Sequence, residues 1–247
     1  MRGLSKVPEV TLLFWIIKVA ATTFGETAGD ALSMSLDLGY LVSTVIFAVI
    51  FVAAVAVQIA AREFRPFLYW AAIIASTTVG TTLADFADRS LGIGYAGGAA
   101  LLSALLLVSL LTWYRTLGSI AVDTVSSPAS EAFYWVTIMF SQTLGTALGD
   151  WTADTAGLGY AGGAALFSGL LGLVVVAYYR TGISRTILFW VAFVLTRPLG
   201  AVVGDFLDKP VSAGGLALSR YMASLVLLGL IAACIVIFPQ RAASKAH

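Results

Sequence analysis

One pattern recurs four times along this chain, and it limits what the chain can fold into more than any other feature does. The segments FWIIKVAATTFGETAGD (14–30), YWAAIIASTTVGTTLAD (69–85), YWVTIMFSQTLGTALGD (134–150) and FWVAFVLTRPLGAVVGD (189–205) align without gaps. Each opens on an aromatic residue followed by Trp15, Trp70, Trp135 or Trp190. Each then places Gly25, Gly80, Gly145 or Gly200 ten residues on, and Asp30, Asp85, Asp150 or Asp205 fifteen residues on. A second apolar stretch follows every copy, opening with LGYLVS (38–43), IGYAGGAALLS (93–103), LGYAGGAALFS (158–168) and the shorter SAGGLALSR (212–220). The repeat unit is therefore a pair of helices.

The solvent for those helices follows from composition. The 247 residues are 60% hydrophobic and 11% charged, with mean hydropathy +0.95. A soluble domain of this size carries about 25% charged residues. A bilayer-spanning helix needs roughly 20 apolar residues, so eight spans fill most of the chain and leave short loops. The expected fold is all-α: a polytopic membrane protein of about eight transmembrane helices, arranged as four parallel two-helix repeats. Parallel repeats follow because each unit crosses an even number of times. Successive tryptophans stand 55, 65 and 55 residues apart, and the extra ten fall in 115–131, where SSPASE (126–131) reads as a linker. That divides the chain into a first half, 1–120, and a second, 121–247, of two repeats each. The basic start (Arg2, Lys6) suggests a leader, but 14–30 belongs to the repeat and is read as mature protein.

Lys and Arg outside the spans set the expected orientation. Arg2, Lys6, Arg62, Arg65, Arg115, Arg180, Arg185, Arg241 and Lys245 lie on one side, and only Arg89 and Lys209 on the other. Both termini are therefore expected in the cytoplasm, and the motif aspartates about 22 Å beyond the tryptophans, toward the outer side. The tryptophans themselves read as interfacial anchors.

Several chemistries drop out at once. With one cysteine, Cys234, and one histidine, His247, the chain has no His/Cys zinc or copper site, no iron–sulfur cluster and no Ser-His or Cys-His catalytic pair. No enzyme activity and no cofactor are expected, and a net charge of +1 gives no reason to expect nucleic acid.

The acids carry the sharpest signal. Each first helix holds two carboxylates three or four residues apart: Glu26/Asp30, Asp85/Asp88, Asp150/Asp154 and Asp205/Asp208. That spacing puts both on one helix face, and the face continues a small-residue groove of GxxxG type (Gly25/Gly29, Gly145/Gly149, Gly200/Gly204, with Gly80/Ala84 as variant). Such grooves let helices approach closely, so the four first helices are expected to gather at the centre. The same grooves also suit a homo-oligomer. Glu26 lies a turn deeper than the aspartates, while Asp88, Asp154 and Asp208 read as headgroup-level residues. Three cations also fall within the spans: Lys18, Arg197 and Arg220. Arg197 aligns with Thr22, Thr77 and Gln142, and Arg220 with Ser103 and Ser168, so both break the repeat.

The four Trp-Gly-Asp repeats resemble a bacterial family of uncharacterised membrane-anchored proteins with tandem two-helix repeats of unknown function, each carrying a characteristic tryptophan. The resemblance covers about 10–238 and implies a bacterial inner-membrane protein, but no activity.

Taken together, the residues point first to a transporter or exporter of a cation, above all a divalent metal. Glu26, Asp30, Asp85, Asp150 and Asp205 would bind it, since an all-oxygen donor set suits Mg²⁺, Mn²⁺ or Ca²⁺. Lys18, Arg197 and Arg220 would hold the carboxylates in the empty state. Two alternatives stand beside this one. The first is a proton-coupled transporter of a small organic or anionic solute bound by Lys18, Arg197 and Arg220. The second is a non-transporting scaffold or receptor whose charges only pair with one another. In every case the expected partners are the lipid bilayer and, for the transporters, a small cation or solute.

Overall fold

The computed structural model describes residues 5–244; Arg2, Lys245 and His247 lie outside the described residues. Among the described residues there are eight long α-helices. They are α1 (Leu12–Asp30), α2 (Gly39–Ala60), α3 (Pro66–Asp85), α4 (Tyr95–Leu117), α5 (Pro128–Asp150), α6 (Gly159–Arg180), α7 (Arg185–Asp208) and α8 (Arg220–Ile237). The odd-numbered helices are the Trp-Gly-Asp helices. They form a closed ring in which α1 packs on α3, α3 on α5, α5 on α7, and α7 back on α1.

Glycine spacing builds that ring. A Cβ on Gly25 would land on Thr77, one on Gly80 on Gln142, one on Gly145 on Arg197, and one on Gly200 on Thr22. At every seam, then, the motif glycine receives the residue seven positions after the tryptophan of the next repeat. One turn further, Gly29 receives Thr81, Gly149 receives Ala201 and Gly204 receives Glu26. Threonine hydroxyls stitch the close approach: Thr77 donates to the Ala21 carbonyl, Thr81 to Gly25 and Thr22 to Thr196, each at 3.1 Å.

The even-numbered helices form an outer layer with a shift of one repeat. Helix α2 packs on α3, α4 on α5, α6 on α7, and α8 closes the circle on α1. The packed pair is thus not the two helices of one repeat but an outer helix and the first helix of the next repeat. Gly39, Gly94 and Gly159 take positive φ (72°, 74°, 63°) where the chain enters each of the first three outer helices, a geometry that a side chain would strain.

Polarity is distributed inside out. Outer-layer residues such as Val49, Val52, Leu107, Leu173 and Val226 are more than half exposed, whereas Thr22, Thr77, Thr81, Thr146, Gln142 and Arg197 are fully buried. Among the described residues, six helices are long and apolar enough to cross a membrane: α2, α3 with its following turn, α4, α6, α7 and α8. Helices α1 and α5, both in the inner ring, fall outside that set. Their interior faces carry polar and charged residues, and these lower their mean hydropathy.

Three of the four motif tryptophans depart from the interfacial expectation, while Trp15 is half-buried. Trp70, Trp135 and Trp190 are buried in one aromatic cluster with Phe14, Tyr69, Tyr134, Trp113 and Phe189. The Tyr69 and Tyr134 hydroxyls share a 2.6 Å hydrogen bond, and Trp70 Nε1 donates to Gln240 Oε1 at 2.8 Å. Ring-closing neighbours supply apolar surface on every side of these indoles, so they act as core. The segments leading into α1 and away from α8 pair across Pro8 and Ala242 at this same end, and Lys6 forms a 2.6 Å ion pair with Glu131. The expected linker is also structured: Ser127 and Ser130 form a capping box that starts α5.

Candidate ion site at the acidic end of the ring

The opposite end of the ring gathers the acids. Asp30, Asp85 and Asp150 each stand at the last α-helical position before a five-residue π-helical turn (Ala31–Ser35, Phe86–Ser90, Trp151–Thr155), while α7 runs on as α-helix to Asp208. Such turns recur at functional sites because they re-aim side chains. All four motif aspartates and Glu26 are buried. One carboxylate oxygen from each of Glu26, Asp30 and Asp85 lies within 4.8 Å of the others; the same holds for Glu26, Asp150 and Asp205, and for Asp30, Asp205 and Asp208. The five residues singled out from sequence thus converge, and Glu26 is the member that joins both sides of the cluster.

Arg197 closes the floor. It is 0% exposed and holds Glu26 Oε2 through Nη1 and Nη2 at 3.1 and 3.2 Å, while Nη2 also donates to Thr81 Oγ1 and Thr146 Oγ1, both at 2.6 Å. Glu26, Thr81 and Thr146 occupy the same repeat position, eleven after the tryptophan, in repeats 1, 2 and 3. In repeat 4 that position is Ala201, small enough to leave the guanidinium its space. One arginine therefore satisfies the equivalent residue of all three other repeats, which explains why repeat 4 alone carries it.

Two cations that the sequence reading counted as outer-loop charges belong to the cluster. Arg89 contacts Asp85 at 2.9 Å and Asp150 at 3.2 Å; Lys209 contacts Asp205 at 3.0 Å and also Asp30. Each lies four residues after its own motif aspartate, so the signal was present in the i,i+4 spacing. Each joins its own repeat to the next one around the ring. Burial works against the Lys209 charge, but Asp205 and then Asp30 outweigh it and raise its pKa above the ordinary lysine value. Asp88 and Asp208, expected at headgroup level, are buried too. Asp208 accepts from Arg220 Nε at 2.7 Å, and the same arginine stands 3.8 Å from Asp30 and donates to Ser35 Oγ. Asp154 is exposed.

Lys18 stands apart from the acids. Its Nζ lies 4.1 Å above the centre of the Phe193 ring and 3.5 Å from Thr196 Oγ1. Lys18, Arg197 and Arg220 thus have three separate sets of partners and do not converge on one pocket. A cavity of about 400 Å³ opens on the side of the bundle between α1, α6 and α7, lined by residues that include Val19, Leu171 and Thr196; none of the acids lines it.

Four segments of the chain, 13–64, 68–119, 133–184 and 188–239, match the family described as Repeat of Unknown Function (DUF347). No curated protein and no solved structure matches the chain. With most of its length in four tandem copies of that repeat, the chain belongs to the DUF347 repeat family.

Proposed function

We propose that this protein is a bacterial inner-membrane transporter of a small cation, a divalent metal in the first place, with both termini cytoplasmic and four parallel repeats around one axis. The observation that carries this reading is a charge imbalance at depth. Glu26, Asp30, Asp85, Asp150 and Asp205 are five buried carboxylates, and three cations, Arg89, Arg197 and Lys209, sit among them. Arg220 is drawn mainly to Asp208. Buried charge in a low-dielectric interior is costly unless compensated, so two surplus carboxylates favour a mobile cation or protons. Asp30 Oδ1, buried and without a donor, is a free ligand atom in that cluster. The donors are carboxylate and threonine oxygens, which suit Mg²⁺, Mn²⁺ or Ca²⁺.

The same geometry supplies a sequence of events. Arg89 and Lys209 are tethered counter-ions at the mouth, 32% and 12% exposed, and an incoming ion displaces them from the aspartates. The ion then reaches Glu26, and passage further inward requires Arg197 to release that carboxylate. Beyond lies the aromatic seal.

One observation favours a second reading. Each of the five carboxylates has a cationic partner in this state, as expected of a scaffold or receptor whose charges only hold helices together. Flux separates the two. Purified protein in liposomes should admit Mn²⁺ to a trapped metal-sensitive dye, and Asp85→Asn with Asp150→Asn should abolish the signal. Failure of the unaltered protein to move Mn²⁺, Mg²⁺ or Ca²⁺ would sink the transport reading, and a larger effect from Arg220→Gln than from the aspartates would point to an organic or anionic solute.

A further inference from the structure

The inner ring repeats four times, but the chain that covers its seams does not. Trp135 lies under Phe51 of α2, with ring centres 6.4 Å apart, and Trp190 under Trp113 of α4, at 5.8 Å. Trp70 is covered by the chain that follows α8, where Gln240 accepts its indole N–H. At the fourth seam, between α7 and α1, the equivalent cover falls to α6. It is not supplied. Tyr178 of α6 aligns with Trp113, which is 0% exposed, yet Tyr178 is 38% exposed. One position where α2 has Phe51 holds the smaller Leu171 in α6. Trp15 is left half-buried, and the cavity of about 400 Å³ opens over it, walled by Val19, Leu171, Val174, Phe189 and Ala192.

The mouth of this groove has the opposite character. Thr11, Tyr178 and Arg185 form it, at the end of the bundle where α1 and α7 begin. Arg185 lies 4.0 Å over the Tyr178 ring and donates through Nη1 to the Tyr178 carbonyl, but it forms no ion pair among the described residues. Thr11 Oγ1 accepts from the Phe14 N–H at 3.3 Å, which leaves its own hydroxyl proton to donate. Ser184 makes no side-chain cap on α7, so the positive ends of two long helices meet here with N–H groups to spare. None of the residues lining the groove is acidic. An apolar trough that ends in an arginine complements a long apolar chain with an anionic head.

We propose that this groove binds one anionic phospholipid, with an acyl chain against Trp15 and the phosphate at Arg185. The inference goes beyond cation transport and shares with that reading only the placement of the helices in a bilayer. Apolar contact holds the chain whatever its headgroup. Selectivity comes from the mouth, as in the basic pockets between transmembrane helices that hold anionic headgroups. A zwitterionic lipid brings its own cation to Arg185 and forfeits that gain.

Quenching of indole fluorescence by brominated acyl chains tests this on the full-length protein. Vesicles would combine brominated phosphatidylglycerol with ordinary phosphatidylcholine, or the converse. The part of the quenching that Trp15→Phe removes reports the groove. That part should favour the anionic lipid about fivefold, the gain from one arginine near the surface. Arg185→Gln should bring the preference below about twofold. Arg115→Gln, which alters an exposed arginine at the same end of the bundle on α4, should leave it unchanged. A preference that survives Arg185→Gln, or that falls equally with Arg115→Gln, would overturn the proposal. So would equal Trp15-dependent quenching by both lipids, or none by either, the result expected if a second copy of the chain covers the groove. Native mass spectrometry of protein released from mixed vesicles gives a reading independent of Trp15→Phe: retention of the anionic lipid undiminished in Arg185→Gln overturns the proposal as well. All these outcomes leave cation flux untouched. Quenching of no tryptophan at all would instead remove the helices from the bilayer, and the transport reading with them.

Discussion

The two ends of the inner ring are built on different rules. At the aromatic end the repeats agree: Phe14, Tyr69, Tyr134 and Phe189 hold one position and four tryptophans the next, and they pack edge to face with centroids 5.0–5.4 Å apart. At the acidic end the aspartates agree but their neighbours diverge. Four residues before them stand Glu26, Thr81, Thr146 and Ala201; four residues after stand Met34, Arg89, Asp154 and Lys209. Symmetry is kept where the ring must close and dropped where charge must be balanced. The divergence has its own order, since the bridging cations fall on repeats 2 and 4.

The contrast is broken most severely at Arg197. Arg197→Met keeps much of the volume but leaves the Glu26 carboxylate buried without its partner and removes the donor that Thr81 and Thr146 share. Removing one member of a buried pair costs about 3–5 kcal/mol, so thermal unfolding in detergent should show a large drop in midpoint. Adding Glu26→Gln should recover most of it, because the uncompensated charge is then gone. A single variant as stable as the unaltered protein would mean that Glu26 is already neutral.

Much of this arrangement was legible in the chain. Fixed spacing of Trp, Gly and Asp announced the repeat, the glycine faces announced the central gathering, and the i,i+4 acids announced their own convergence. Three features were hidden for a physical reason. Counting charges by loop placed Arg89 and Lys209 in solvent, although each reaches back one helical turn to its own aspartate and across a seam to another. The tryptophans looked interfacial because nothing local reveals that the aromatic ends of all four first helices pack together. The pairing of each outer helix with the following repeat is likewise a tertiary fact, decided by ring closure and not by the hairpin that the sequence displays.

A glycine substitution probes the closure shared by both ends. In Gly200→Ala the new methyl would meet Thr22, including its backbone carbonyl carbon at 2.8 Å, so α7 and α1 must part. Overpacking of this kind costs about 1–3 kcal/mol. Gly169, on outer helix α6, has open space at the same point, and Gly169→Ala should be neutral or gain up to about 1 kcal/mol of helix propensity. Equal losses at both sites in detergent unfolding would contradict the close seam.

The smallest effect belongs to the aromatic end itself. Tyr69→Phe removes one side of the 2.6 Å hydroxyl pair and leaves the Tyr134 hydroxyl buried without its partner, a loss of about 1–3 kcal/mol near the lower end of that range because the ring packing is untouched. Replacing both tyrosines by phenylalanine removes the stranded group as well, so the double variant should be no less stable than the single one. Cation flux should be unchanged in both if this end is a dry, symmetric closure. A double variant that instead passes ions faster would turn the tyrosine pair into an inner gate, and the division between a structural end and a working end would have to be withdrawn.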